Sequence, residues 1–166
     1  MENFKQKLRN IKAFIFDVDG VLTNGALTVM PDGELVRTMN IKDGYALQLA
    51  VKKGYWVAVI SGGHSEGVPK RLKKLGVTEV FMGVEDKMKT QEIFIAKYKL
   101  KTEEIIYMGD DMPDLKAMQR CGIAACPADA VPEIKKISMY VSQANGGDGC
   151  VRDIIEQVMR LHDKWE

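Results

Sequence analysis

Short apolar runs alternating with longer amphipathic stretches constrain this chain more than any other feature. The runs are Ala13–Asp17, Trp56–Ser61, Glu79–Met82, Ile105–Gly109 and Ile123–Cys126, with a weaker one at Met139–Ser142. Their near-continuous Val, Ile, Phe and Ala content suits strands buried on both faces. Helical patterns fall at Asp43–Lys53, Glu66–Leu75, Met88–Tyr98, Pro113–Arg120, Val131–Ile137 and Val151–Asp163, while Thr102-Glu103-Glu104 reads as a turn. This alternation predicts an α/β fold, a doubly wound parallel sheet with helices on both faces. At 166 residues the chain fits one domain over 1–166, because two would each be too small to bury a good core.

One segment departs from the alternation. Residues 26–40 read ALTVM-PDG-ELVRTMN, two β-leaning runs around Pro31-Asp32-Gly33, which predicts a hairpin inserted after the first strand. A two-stranded ribbon is marginal alone. It is therefore expected to find a partner surface, as an oligomer contact rather than a solvated decoration.

Composition narrows the classes of partner. With 24 basic against 23 acidic side chains, the net charge of +1 supplies no field for nucleic acid or an anionic membrane. The longest clean apolar stretch, Tyr55–Ile60, is far short of the ~20 residues of a spanning helix. The opening MENFKQKLRN lacks the apolar core of a signal peptide. Cys121, Cys126 and Cys150 have no CxxC spacing, and His64 and His162 are too few for a histidine-based metal site. A cytoplasmic protein without nucleic-acid or membrane partners is expected.

Ligands of open parallel sheets bind beyond the carboxyl ends of the strands. There the sequence places Asp17-Val18-Asp19-Gly20-Val21-Leu22-Thr23, then Ser61-Gly62-Gly63, then Asp86-Lys87, then Gly109-Asp110-Asp111 with Asp114. Each residue type answers a need of phosphoryl transfer. One carboxylate can attack phosphorus and carry it as an aspartyl-phosphate. A second, two residues on, points the same way if the extended backbone persists, and can exchange the proton. Carboxylates without His or Cys favour Mg²⁺. Ser61 and Lys87 can hold the non-transferring oxygens, and Gly62 lets a backbone amide approach them. Taken singly, Asp-x-Asp-Gly is also a turn, Asp111 and Asp114 are also helix caps, and Lys87 is also a surface lysine. Their order, each at a strand's carboxyl end, favours a site.

FDVDGVLT, the SG at 61–62, DK at 86–87 and GDDMPD at 109–114 resemble the four motifs of the haloacid dehalogenase superfamily, over nearly the whole chain. The resemblance implies a phosphatase with Asp17 as nucleophile and Asp19 as acid and base. It implies Mg²⁺ held by Asp17, the backbone carbonyl of Asp19 and Asp110, supported by Asp111 and Asp114, with Ser61 and Lys87 on the phosphoryl group. Between Asp17 and Ser61 there is room only for the hairpin and one helix, and between Ser61 and Lys87 for one helix and one strand. No cap domain fits, so the open site would admit water unless a neighbouring subunit covers it.

The hairpin, DGVLTNG, NIKDGYAL at 40–47 and GGDGCVRD at 146–153 are similar to a capless branch of that superfamily. The likeness implies a homotetramer whose hairpins meet, and a phosphorylated 2-keto-3-deoxy sugar acid as substrate. Gly146, Gly147 and Gly149 would form a mobile tail near a neighbour's site, followed by Arg152. Thr23 and Gly62 are assigned to substrate binding. Arg71 and Lys74, three apart on one helix face, can point together at a substrate carboxylate. Gly63 departs from the branch, which commonly carries a long charged residue there, and Thr23-Asn24-Gly25 replaces a usual TDG. Gly63 removes one candidate substrate contact, which leaves an eight-carbon and a nine-carbon sugar acid both open. Two other classes share features of the pattern. A receiver-type signalling domain takes its phosphoacceptor from a later strand, and a non-catalytic oligomerisation module typically loses the motif carboxylates that are all kept here.

Overall fold

In the computed structural model, which describes residues 3–166, the apolar runs form a six-stranded, wholly parallel sheet. The strands are β1 (Ala13–Phe16), β4 (Trp56–Ile60), β5 (Glu79–Phe81), β6 (Ile105–Met108), β7 (Ile123–Cys126) and β8 (Tyr140–Val141), in the order β5-β4-β1-β6-β7-β8. All four residues of β1 are buried. Their side chains alternate between faces, as extended backbone requires: Phe14 and Phe16 enter one core and Ala13 and Ile15 the other. The first core is closed by α1 (Phe4–Leu8), α2 (Ile41–Lys52), α3 (Gly67–Lys74) and α7 (Cys150–Leu161), and the second by α4 (Lys87–Tyr98), α5 (Leu115–Met118) and α6 (Pro132–Ile137). The sheet is doubly wound, as predicted. Its order reverses at β1, between β4 and β6, so the chain diverges there and opens a crevice.

Helix starts are set by caps that apolar periodicity does not register. The Asn40 side chain accepts from Lys42 N at 2.8 Å, so α2 begins two residues before the predicted Asp43. The Asp86 side chain accepts from Lys89 N at 3.0 Å and puts Lys87 at the first position of α4. The predicted helix Pro113–Arg120 divides into a 3₁₀ turn, Met112–Asp114, and the short α5. Helix α1 was outside the expected elements. Its start is a reciprocal cap, with Asn3 N donating to Gln6 Oε1 at 2.9 Å.

The insertion is the expected hairpin, β2 (Thr28–Val29) antiparallel to β3 (Leu35–Val36) and separate from the main sheet. Leu27, Val29, Met30, Leu35 and Val36 are all exposed on it. Where a mobile glycine-rich tail was expected, the structure shows a packed wedge. Gly146 N donates to Asp129 Oδ1 at 2.9 Å and Gly147 N to Val21 O at 3.0 Å, while Asn40 Nδ2 donates to Gly147 O at 3.1 Å. A Cβ built on Gly146 would lie 1.9 Å from Gly20 O, so only glycine lets the two backbones approach this closely. Gly146→Ala is expected to destabilise the protein by about 1–3 kcal/mol in chemical denaturation, through overpacking against the loop after β1.

Candidate active site

The crevice at the end of β1 is an open cleft of about 500 Å³ lined by Asp17, Asp19, Ser61, Gly62, Lys87 and Asp110, among others. Asp17 N continues the ladder by donating to Met108 O at 3.1 Å. The chain then turns through Val18–Leu22, with Gly20 at φ +90°. A Cβ at Gly20 would meet Asp110 Oδ2 at 1.9 Å, so the glycine admits the Asp110 carboxylate to the floor of the cleft. Thus the loop after β1 and the loop after β6 are shaped to each other.

Lys87 lies at the centre. Its side chain is only 5% exposed, and Nζ sits 3.0 Å from Asp17 Oδ2 and 2.8 Å from Asp114 Oδ1. Asp114 is fully engaged by protein donors: Tyr107 Oη also donates to Oδ1 at 3.0 Å, and Asp110 N to Oδ2 at 3.2 Å. It therefore braces the site. Asp17 keeps one hydrogen bond from its neighbour, Val18 N to Oδ1 at 2.7 Å. Asp110 Oδ1 is buried with no hydrogen-bond partner.

The electrostatics follow from that packing. Burial, reinforced by Asp114 and only partly offset by Lys87, pushes Asp17 up to about 8. Burial, with Asp114 and Asp111 adding repulsion, pushes Asp110 to about 7. Burial pulls Lys87 down, but Asp114 and Asp17 outweigh it and the lysine is held above its ordinary value. Oxygens of Asp17, Asp110 and Asp114 lie within 4.8 Å of one another. A carboxylate set without His or Cys, with one orphaned buried oxygen, fits Mg²⁺.

The structure brings together Asp17, Asp19, Ser61, Gly62, Lys87, Asp110 and Asp111 on this cleft, with Asp114 beneath it. Ser61 is buried, and its Oγ accepts from Gly63 N at 3.1 Å, which tightens the turn after β4. Asp111 caps the 3₁₀ turn through Met112 N at 2.7 Å. Thr23 is not presented to the cleft: it is fully buried, and its Oγ1 accepts from Gly20 N at 3.4 Å and Gly25 N at 3.2 Å, bracing the loop. Arg71 and Lys74 are exposed on α3 and line no part of the cleft; Arg71 borders a neighbouring groove with Arg37 and Met39. His64 projects over Gly83 instead of the carboxylates. Sequence reasoning missed Arg37 and Tyr107. An arginine in a hairpin and a tyrosine in an apolar strand carry no local signal of a carboxylate partner.

This aspartate-centred cleft, at the switch point of a doubly wound sheet without a cap, defines a haloacid dehalogenase-like hydrolase, and residues 79–154 match the model of that family. The chain belongs to it, and it is a phosphatase. Relatives matched over nearly its full length include 3-deoxy-D-manno-octulosonate 8-phosphate phosphatases. The one from Yersinia pestis is 31% identical over 161 residues, 97% of this chain and 86% of that protein. The one from Escherichia coli K12 is 32% identical over 160 residues, 96% and 85% of the two chains. The Yersinia crystal structure superposes with a TM-score of 0.94 at 31% identity, covering 96% of this chain and 86% of that one. A Moraxella catarrhalis structure, a complex with a magnesium ion, a phosphate ion and 3-deoxy-D-manno-octulosonate, gives a TM-score of 0.92 at 30% identity, covering 97% and 92%.

Raised carboxyl values have a consequence for stability. A group protonated more strongly folded than unfolded stabilises the fold at low pH and loses that contribution as pH rises through its folded value. The metal-free protein is therefore expected to lose stability from about pH 4, the ordinary aspartate value, up to about pH 8, where Asp17 titrates in the fold. Thermal melts should show Mg²⁺ raising the midpoint more at the upper end of that window than at the lower.

Proposed function

We propose that the protein hydrolyses 3-deoxy-D-manno-octulosonate 8-phosphate, with Mg²⁺, in the cytoplasm as part of lipopolysaccharide sugar synthesis. The observation that carries the reaction is the buried Asp17–Lys87–Asp114 chain beside the orphaned Asp110 oxygen. Support for the sugar comes from the near full-length relatives and from the 3-deoxy-D-manno-octulosonate and phosphate bound in the Moraxella protein.

Asp17 attacks phosphorus, and the ester oxygen leaves with the proton of Asp19. The Asp19 carboxylate then takes a proton from water, whose oxygen displaces Asp17 from phosphorus. Lys87 holds Asp17 in line and neutralises phosphoryl oxygens, aided by the Ser61 hydroxyl and the amides around Gly62. Asp17, the Asp19 carbonyl and Asp110 would hold Mg²⁺, which supplies positive charge to the phosphate oxygens. Asp111 and Asp114 support that set from outside it. The exposed apolar side chains of the hairpin support assembly into a homotetramer, with 1–166 acting as one domain.

Asp17→Asn is expected to abolish turnover while leaving the fold intact, and a fully active variant would overturn the nucleophile. Phosphate release from a panel of phosphosugars, with Mg²⁺ and with chelator, tests the substrate. Metal-dependent preference for the octulosonate ester is expected. Preference for 2-keto-3-deoxynononate 9-phosphate would keep the mechanism and replace the sugar.

A further inference from the structure

The Asp19 carboxyl is held by one residue that the four motifs do not contain. Arg37, just beyond β3, reaches back to the loop after β1 and grips Asp19 with two parallel prongs, Nε to Oδ1 at 2.7 Å and Nη2 to Oδ2 at 3.0 Å. Its remaining nitrogen, Nη1, donates to Leu35 O at 3.2 Å and His64 O at 3.1 Å. The guanidinium is thus tied to the hairpin, to the turn after β4 and to the loop after β1 at once. Its side chain is 2% exposed, although its hairpin neighbours Leu35 and Val36 face solvent. Among the described residues, no other protein donor reaches the Asp19 carboxyl, whose side chain is itself 31% exposed.

Gly63 makes this grip possible. A Cβ there would lie 2.7 Å from Arg37 Nη2 and 2.9 Å from Asp19 Oδ2. The space that a side chain at 63 would fill is taken by the arginine fork.

We propose that Arg37 is a positioning residue for the phosphatase reaction, setting the reach and plane of the Asp19 carboxyl from the hairpin through the gap at Gly63. The inference rests on Asp19 being the proton carrier. A planar fork fixes a carboxylate in two dimensions, which a point charge does not. When Asp19 carries the proton, one oxygen keeps an Arg37 N–H while the other presents the proton to the ester oxygen. That proton moves as the P–O bond to the leaving group breaks and the Asp17–phosphorus bond forms. When Asp19 is the carboxylate, both prongs hold it until water gives up a proton. An exposed carboxylate without this grip would sample other rotamers, and misplacement of a proton carrier by an ångström costs rate rather than affinity.

Leaving-group chemistry separates this role from general structural support. An alkyl phosphate needs its leaving oxygen protonated, and p-nitrophenyl phosphate does not. Arg37→Ala is expected to lower kcat/KM about 10–100-fold for an alkyl phosphate that the wild type turns over, and less than about threefold for the aryl ester. Arg37→Lys should fall between, having charge but no fork; if Arg37→Ala fails to fold, Arg37→Lys carries the same comparison. Gly63→Ala should depress the same ratio and add little on top of Arg37→Ala. Equal losses on both esters, no loss, or a raised KM at unchanged kcat would overturn the proposal. Asp19→Asn is measured alongside. If it is fully active, the proton-carrier reading fails; if it is inactive while Arg37→Ala is unaffected, only the role of Arg37 fails.

Discussion

Burying like charges at the end of a parallel strand is costly, and in this protein the Lys87 ammonium makes it sustainable. Lys87 stands between two buried carboxylates, Asp17 and Asp114, at 3.0 and 2.8 Å. Removing one partner of a buried pair costs about 3–5 kcal/mol, because a charge is left unpaired where water cannot reach it. Here such a loss would leave two carboxylates facing each other. The lysine can occupy that position only because Asp86 caps α4 and makes Lys87 the first helical residue. The helix start, the strand end and the buried charges are one construction.

A deficit remains after Lys87 is counted. Asp17 and Asp110 stay pushed up by burial and by their acidic neighbours, and Asp110 Oδ1 has no hydrogen-bond partner. Tyr107 and the Asp110 amide satisfy Asp114 but do nothing for the other two. A divalent cation held by these carboxylates would relieve both problems, supplying positive charge where the protein leaves it short. The metal-free site is therefore tuned against itself in a way that favours cation binding.

Much of this was legible in the sequence, for physical reasons that can be named. Strand identity follows from β1 and its neighbours being buried on both faces, which demands continuous apolar runs. The motif carboxylates, Ser61 and Lys87 were legible because a doubly wound sheet delivers strand ends to one edge, so position along the chain becomes position in space. What escaped depends on contacts between distant segments. Thr23 closes the same DVDGVLT segment that Asp17 opens, yet its hydroxyl turns inward to two loop amides. Arg71 and Lys74 share a helix face, but that face lies beyond the cleft. The family likeness implies a mobile tail at 146 and 147, whereas these glycines are required by close packing against Gly20 and Asn24. No single-residue rule distinguishes a glycine that frees a chain from one that lets two backbones touch.

Gly63 shows the same logic at the mouth of the site. As a letter in the sequence it is one side chain fewer after Ser61-Gly62. In the fold it is a vacancy that Arg37 fills from 26 positions upstream, closing on Asp19 across a gap no wider than a Cβ. A hairpin without a cap domain above it could have been a surface ornament. Because its arginine is tethered to both Asp19 and His64 O, a shift of the hairpin would be passed to the carboxyl proposed as the proton carrier. Any surface that steadies the hairpin, a second subunit included, would steady that carboxyl too, and so the exposed apolar ribbon and the chemistry of the cleft share one mechanical link.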